Sequence, residues 1–170
     1  AWFLREQGLS VVVCEKGRIA GEQSGRNWGW VRQQGRDPGE LPIMVESLSI
    51  WKRLALQMGD RLGFRQTGVL HLAKTEREIE GFEAWTEHSR AHQLDTRLLT
   101  AGETMAMLKG AVASWKGGLL TASDARAEPW VAVPALAAVA EEKGVVIREA
   151  CAVRGLDLAA GRVAGVVTEA

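Results

Sequence analysis

The chain has 170 residues, of which 46% are hydrophobic and 25% charged, the balance of a folded globular protein and not of a disordered one. Lysine plus arginine (21) equals aspartate plus glutamate (21), and neither sign forms a long run, which argues against a nucleic-acid or membrane-surface partner. No apolar stretch approaches the roughly 18 residues of a membrane span.

Residues 1–7 read as the tail of a helix closed by Gly8, with Trp2, Phe3 and Leu4 turned inward and Arg5, Glu6 and Gln7 toward solvent. Residues 10–14, SVVVC, are a nearly continuous apolar run, as in a parallel strand covered on both faces, and stop at Glu15. Residues 16–38 form a long glycine-rich polar loop of the kind that carries function in compact domains; Trp28, Trp30 and Val31 mark it as ordered. Leu41–Met58 places Leu41, Met44, Val45, Leu48, Trp51, Leu54 and Ala55 at spacings of an amphipathic helix.

Residues 64–73 predict a strand with Gly68 inside it, and 76–92 a more exposed helix. Thr100 and Glu103 form a capping box that opens a short helix to Leu108. Residues 117–122 predict a further strand. Glu128 or Pro129 starts a helix that runs to Lys143 and stops at Gly144, which requires Pro134 to lie close to the first turn. Residues 145–158 and Arg162–Thr168 predict strands, the last pair an antiparallel hairpin through 159–162. Cys14 and Cys151 both sit in apolar runs and read as buried thiols of a reducing, cytoplasmic compartment, not as a disulfide framework. The two ends look like pieces of one αβ domain and the middle like a second, mixed region.

Helix end, glycine, buried strand and carboxylate, in that order, form the second half of a dinucleotide-binding βαβ unit, whose acid accepts hydrogen bonds from a ribose. The glycine-rich phosphate loop of such a unit precedes the acid by about 20 residues. Glu15 lies too near residue 1 for that, so the loop is expected upstream and the chain to begin in mid-helix. The last residues, 166–170, are likewise expected to end on a cut strand edge. Strand and acid alone leave Glu15 equally readable as a solvated strand-end carboxylate. The run GEQSGRNWGWVR at 21–32 adds weight to the ribose reading. Its small residues let backbone N–H groups approach an anion, Ser24 and Arg26 add donors suited to phosphate, and Asn27, Trp28 and Gly29 offer backbone and a flat side chain to a ring system.

These segments, VVVCEKG…AGEQSGRNWGWVRQQ and GGLLTASDARAEPWVAVPALAAVAEEKGVVIREACAVRGLDLAAGRVAGVVTEA, resemble the flavoprotein amine and amino-acid oxidoreductases, the family of D-amino-acid oxidase and dehydrogenase, sarcosine oxidase and glycine oxidase. The resemblance implies an α/β fold: an incomplete Rossmann-like FAD-binding domain from 1–39 and 126–170, with an inserted mixed α+β substrate domain at 40–125. It implies oxidation of the CH–NH bond of an amino acid or related amine by hydride transfer to FAD, with imine hydrolysis to a keto acid or aldehyde, and oxygen or a quinone as electron acceptor. A quinone acceptor would associate the protein with a membrane. The implied cofactor-binding residues are Glu15, Lys16, Ser24, Gly25, Arg26, Asn27, Trp28, Gly29 and Val153, the last through its backbone at the adenine. Arg32 stands where some relatives direct an arginine to the substrate carboxylate; a surface or ion-paired structural role is the competing reading. His71 is a candidate lining residue or a satisfied buried histidine. No catalytic residue is assigned beyond these.

With the GxGxxG loop absent, the 170 residues alone are expected to bind FAD poorly and to be inactive. Two other readings remain open: an NAD-binding Rossmann oxidoreductase, against which the long loop after Glu15 speaks, and a non-catalytic packing or interaction module. His88 and His92 share a helix face without the glutamate of a zinc-protease helix, and no metal is expected. Asp124, Arg126 and Glu128 read as a charged crossing with no further role, and Trp51, Trp85 and Trp130 as core.

Overall fold

The computed structural model describes residues 1–169. In chain order the elements are α1 (Trp2–Glu6), β1 (Val12–Cys14), α2 (Gln23–Arg26), β2 (Trp30–Val31), α3 (Leu41–Met58), β3 (Phe64–Arg65), β4 (Val69–Ala73), α4 (Glu76–Ala91), β5 (Thr96–Thr100), α5 (Ala101–Met107), β6 (Gly117–Thr121), β7 (Ala125–Ala127), α6 (Pro129–Glu142), β8 (Val146–Arg148), β9 (Val153–Ala159) and β10 (Arg162–Thr168). The chain divides into two compact units, one of residues 1–28, 61–63 and 128–170, the other of 29–60 and 64–127.

In the first unit β1 pairs with β8 in parallel, Val12 opposite Val146 and Cys14 opposite Arg148. A parallel pair needs a crossover connection, and the long excursion between β1 and β8 ends in α6. That helix starts with Pro129 at its first turn, where the missing N–H costs nothing, and stops at Gly144, whose φ of +90° ends the helix. It continues through Pro134, deeper than the first turn to which the sequence confined that proline. β9 and β10 form an antiparallel hairpin. Ala160 and Gly161 at its tip both have positive φ, 50° and 74°, the two-residue turn whose twist matches that of the strands.

The expected faces of α1 hold at Glu6 and Gln7, which are exposed, and in part at Trp2, which is half-buried, but not elsewhere. Phe3 and Leu4 are exposed and no residue of α1 is buried. Arg5 turns inward instead, its Nε donating to the Lys143 carbonyl at 2.6 Å, so that a cation satisfies the last carbonyls of α6. Trp2 lies under the Lys143 ammonium and donates to Glu6 at 2.7 Å. Nor is β1 covered on both faces, since Val12 is exposed. Trp130, expected in the core, is 49% exposed, with the Arg18 guanidinium over its ring. The strand expected over 145–158 is two strands, because Ala150 takes a φ of 51° and turns the chain between them.

The second unit holds two three-stranded antiparallel sheets, ordered β2-β7-β3 and β4-β6-β5. The centre of the latter is β6, buried at all five positions, with Gly117 and Gly118 allowing close approach: a Cβ on Gly117 would lie 2.6 Å from the Leu99 carbonyl oxygen. The single strand expected over 64–73 is broken at Gly68, whose φ of +71° and N–H bond to the Asp124 carbonyl (2.9 Å) send β3 to β7 and β4 to β6. β5 and β7 were not anticipated; β7 is the three-residue centre of its sheet, too short to show periodicity. The loop expected over 16–38 contains α2 and β2. Two capping boxes open helices, Thr75 with Glu78 at α4 and Thr100 with Glu103 at α5; the first was missed in the sequence. Backbone and hydroxyl donors hold both glutamates below the usual carboxylate range. Trp51 of α3 stacks on Phe64, centroids 5.9 Å apart.

Gly25 fixes where α2 rests in the first unit. A Cβ there would fall on the Ala20 carbonyl oxygen and 3.0 Å from the Trp130 ring. Gly25→Ala should therefore lower stability by about 1–3 kcal/mol, the usual cost of overpacking, measured by urea denaturation. Wild-type stability in that variant would show that α2 is free to lift off α6.

Candidate functional site

Glu15 stands at the carboxyl end of the parallel β1–β8 pair, the edge at which open α/β sheets bind ligands. Its backbone is tied on both sides: its N–H donates to the Arg148 carbonyl and its carbonyl accepts from Cys151 N–H, each at 2.8 Å. The half-buried side chain turns back so that Oε1 accepts from Gly17 N–H at 2.6 Å, leaving Oε2 without a protein donor among the described residues. A carboxylate so held, with one oxygen unspent, fits a sugar hydroxyl. Val153, two residues beyond Cys151, opens β9 with its side chain 44% exposed.

The remaining candidates of this unit form a separate turn. Ser24 and Arg26 are exposed on α2, and Gly25 is buried against α6. Asn27 donates from Nδ2 to the Ser24 carbonyl at 2.6 Å. Arg26 pairs with Glu22 at 3.0 Å, so in this form its charge is directed to a protein acid. Trp28 is 85% exposed, and Lys16 is exposed beside Glu15.

Gly29, Arg32 and His71 belong to the second unit. Buried Gly29, with a φ of +72°, accepts from Ala127 N–H at 2.8 Å, which leads the chain into β2 alongside β7. Beyond β2, Arg32 is half-buried; its guanidinium lies 5.1 Å over the Trp30 ring and donates to the Gln34 carbonyl. No carboxylate pairs with it among the described residues. His71, in the middle of β4, tilts between Trp30 and Phe82, at centroid distances of 6.2 and 6.4 Å. Gly35, φ +65°, lets the two basic side chains approach: its Cβ would sit 3.1 Å from His71 Cε1 and 3.3 Å from Arg32 Nη1. Burial, then the Arg32 charge, lowers the His71 pKa, so the imidazole is neutral at pH 7. Burial and the neighbouring Arg36 also lower that of Arg32, with Asp124 and Glu40 opposing; a guanidinium starts high enough to stay charged.

The sequence reading gave Asp124 nothing beyond a place in a charged crossing, and the structure gives it a role within the second unit. Asp124 is fully buried. Oδ1 accepts from Gln33 N–H at 2.8 Å and from Gln33 Nε2 at 3.3 Å, and Oδ2 accepts from Gln34 N–H at 3.1 Å. Gln34 is also fully buried and donates to the Leu119 carbonyl at 2.6 Å. One carboxylate thus pins the two residues that follow Arg32. Burial raises the Asp124 pKa while these donors lower it. The available signal was the polar pair Gln33-Gln34 between Arg32 and Gly35, which needs partners once buried. His88 and His92 take no part in any such cluster: among the described residues no three His, Cys, Asp or Glu side chains group to hold a metal ion.

Two outcomes are expected. Asp124→Ala strands two buried N–H groups and should cost about 2–5 kcal/mol in denaturant unfolding, with Asp124→Asn intermediate because its amide can still accept from one of them; an unchanged midpoint in both would remove the clamp. Arg32→Gln should raise the His71 pKa, followed through its Cε1–H NMR shift, because it deletes a neighbouring positive charge. An unmoved midpoint would mean the two side chains do not sense each other.

The family model described as "FAD dependent oxidoreductase" matches residues 1–170. The chain is 29% identical over 175 residues to the sarcosine oxidase subunit beta of Rhizobium meliloti (strain 1021), a match that covers 99% of this chain and 42% of that protein. It superposes on the L-amino acid deaminase from Proteus myxofaciens, solved in complex with anthranilate, with a TM-score of 0.92 and 29% identity, covering 98% of this chain and 38% of that one. The L-proline dehydrogenase from P. horikoshii gives a TM-score of 0.89 at 27% identity, covering 98% and 44%. The chain therefore spans about two fifths of the length of these relatives. An acid closing a parallel strand, a glycine-bearing turn behind it and a match over every residue lead to one conclusion: the chain belongs to the family of FAD-dependent oxidoreductases.

Proposed function

We propose that this chain supplies part of the cofactor site and part of the substrate site of an enzyme that oxidises the CH–NH bond of an amino acid. The first unit is the FAD-binding portion and the second the substrate portion. The observation that carries the amino-acid reading is Arg32, a half-buried guanidinium held over Trp30 and beside a neutral imidazole, with no carboxylate in ion-pair contact among the described residues. Its planar fork suits a carboxylate, and Arg32 makes a bidentate grip available where a lysine would offer one point charge.

The residues present fit FAD at the point where they can be tested: the Glu15 carboxylate, fixed through Gly17 N–H, keeps an oxygen for a ribose hydroxyl at the strand end. Val153 would hold the adenine through its backbone, and Ser24 to Trp28 would line the phosphate and ring portions, with Arg26 exchanging Glu22 for phosphate oxygens. FAD, when bound, accepts the hydride from the amine-bearing carbon. The chain's own part is orientation. Arg32 fixes the substrate by its carboxylate, Trp30 and Phe82 wall the site, and His71 enters neutral, so it adds no second positive charge and is able to accept a proton. Relatives described as a sarcosine oxidase subunit, an amino acid deaminase and a proline dehydrogenase support a substrate that carries both amine and carboxylate. Among the described residues no helix is long and apolar enough to cross a membrane. The compartment follows the acceptor, cytoplasm for oxygen and a membrane surface for a quinone.

The test is to express the reading frame that contains this chain, identify the flavin released on heating, and assay amino acids, the corresponding amines and N-methyl amino acids, with peroxide release separating oxygen from quinone as acceptor. FAD at one per chain and oxidation confined to substrates with a carboxylate are expected. Arg32→Gln should raise KM about tenfold or more, the loss of one or two hydrogen bonds to a charged group, with a smaller effect on kcat. A colourless protein that binds NADH, or an Arg32 variant with unchanged KM, would overturn the assignment.

A further inference from the structure

The chain has two cysteines, and Cys14 and Cys151 are both free thiols. Most of the sequence separates them, yet the first unit sets them side by side. Cys14 is the last residue of β1 and lies in register with Arg148. The next residue, Glu15, accepts the Cys151 N–H on its carbonyl at 2.8 Å, and Gly17 accepts the Ala150 N–H at 2.8 Å. These bonds run the two segments along each other and bring Cys151 beside the residue that follows Cys14, near enough for the two thiols to act on each other electrostatically. The two differ in access: Cys151 is 8% exposed, whereas Cys14 is intermediate. A disulfide needs Cα atoms roughly 4.4–6.8 Å apart, and the Cys151–Glu15 backbone bond holds the two segments as direct neighbours.

We propose that Cys14 and Cys151 form a reversible two-electron redox site, closed to an intramolecular disulfide by a hydroperoxide and reopened by a thiol reductant. In the first step the more accessible Cys14, as thiolate, attacks one peroxide oxygen. The O–O bond breaks, an S–O bond forms, and the second oxygen leaves as water after taking a proton. In the second step the Cys151 sulfur attacks Cys14, the S–O bond breaks, an S–S bond forms, and the hydroxyl leaves as water with the Cys151 proton. Two thiols lose two electrons and two protons, and hydrogen peroxide becomes two waters. Reduction runs by thiol–disulfide exchange. Burial and the facing Cys151 keep Cys14 protonated above the ordinary thiol range, opposed by Arg148 on β8, so closure is slow and answers sustained peroxide and not a brief pulse. The crosslink joins the end of β1 to the segment that enters β9, and a bond between such distant positions restricts the unfolded chain strongly. The inference does not rest on the proposed substrate.

The test uses the purified chain, reduced and freed of reductant, then exposed to hydrogen peroxide. Expected are a mass loss of two hydrogens, no alkylatable thiol, a Cys14–Cys151 peptide in a non-reducing digest, a monomer on a non-reducing gel, and a higher unfolding midpoint that dithiothreitol reverses. Cys151→Ser should stop the reaction at a dimedone-reactive sulfenic acid on Cys14, and Cys14→Ser should leave Cys151 unmodified. In urea the pairing should slow, since the fold provides the proximity. Both thiols still alkylatable after peroxide, crosslinks only between chains, or pairing as fast in urea as in the native state would overturn the proposal.

Discussion

A single buried carboxylate organises the second unit. Asp124 connects β6 to β7, and its two oxygens take the backbone N–H groups of Gln33 and Gln34, residues far away in sequence. Buried backbone donors must find acceptors, and here no sheet ladder supplies them, because the chain leaves β2 after two residues. The acid therefore substitutes for a strand. Burial leaves its folded pKa above the ordinary aspartate value, so its linkage runs opposite to that of a salt-bridged acid: the folded state holds the proton more tightly, and the contribution to stability falls as pH rises through the window between the two values. The capping glutamates Glu78 and Glu103 run the other way. Their folded pKa values lie below the ordinary one, and what they contribute is present above the ordinary value and lost as pH falls through the folded one.

The placement of Arg32 and His71 follows from that clamp. With Gln33 and Gln34 fixed, Gly35 is held in the left-handed region, and the turn it makes leaves Arg32 folded back over Trp30 with its guanidinium on the Gln34 carbonyl. A side chain at position 35 would press on both Arg32 and His71. The glycine thus serves a conformational need and a packing need together, which is why one residue can decide the spacing of two side chains.

How far the sequence disclosed this varies with the physical signal. Leu41–Met58 was legible to the residue because seven apolar positions repeat at helical spacing and Gly59 follows at once. The parallel character of β1 and the hairpin of β9 and β10 were legible for similar reasons: an apolar run ending at an acid, and an Ala-Gly turn between alternating segments. The short strands β2 and β7 were not, since two or three residues carry no period and their pairing is set by partners distant in the chain. The faces of α1 were misread because apolar side chains were assumed to point inward, whereas the helix is fastened by Arg5 at the end of α6. Glu15 and Arg32 could be named as candidates by residue type and position. Asp124 could not, because an acid between Ser123 and Ala125 looks like any solvated turn until its burial is known.

Charge economy is the last constraint. Arg32 acts electrostatically on both Arg36 and His71, and the acids that oppose its charge are Asp124, committed to backbone donors, and Glu40, which pairs with Arg36 at 3.8 Å. Three full positive charges there would repel one another in a partly desolvated setting, where such terms are stronger than in water. The group that gives way is the one with the lowest starting pKa, so His71 sheds its proton and Arg32 keeps its charge. An arriving carboxylate changes that balance: by neutralising Arg32 it removes the second cause of the low His71 pKa and makes the imidazole more basic. A carboxylate bound there would thereby prepare His71 to take up a proton, and that coupling needs no movement of the backbone.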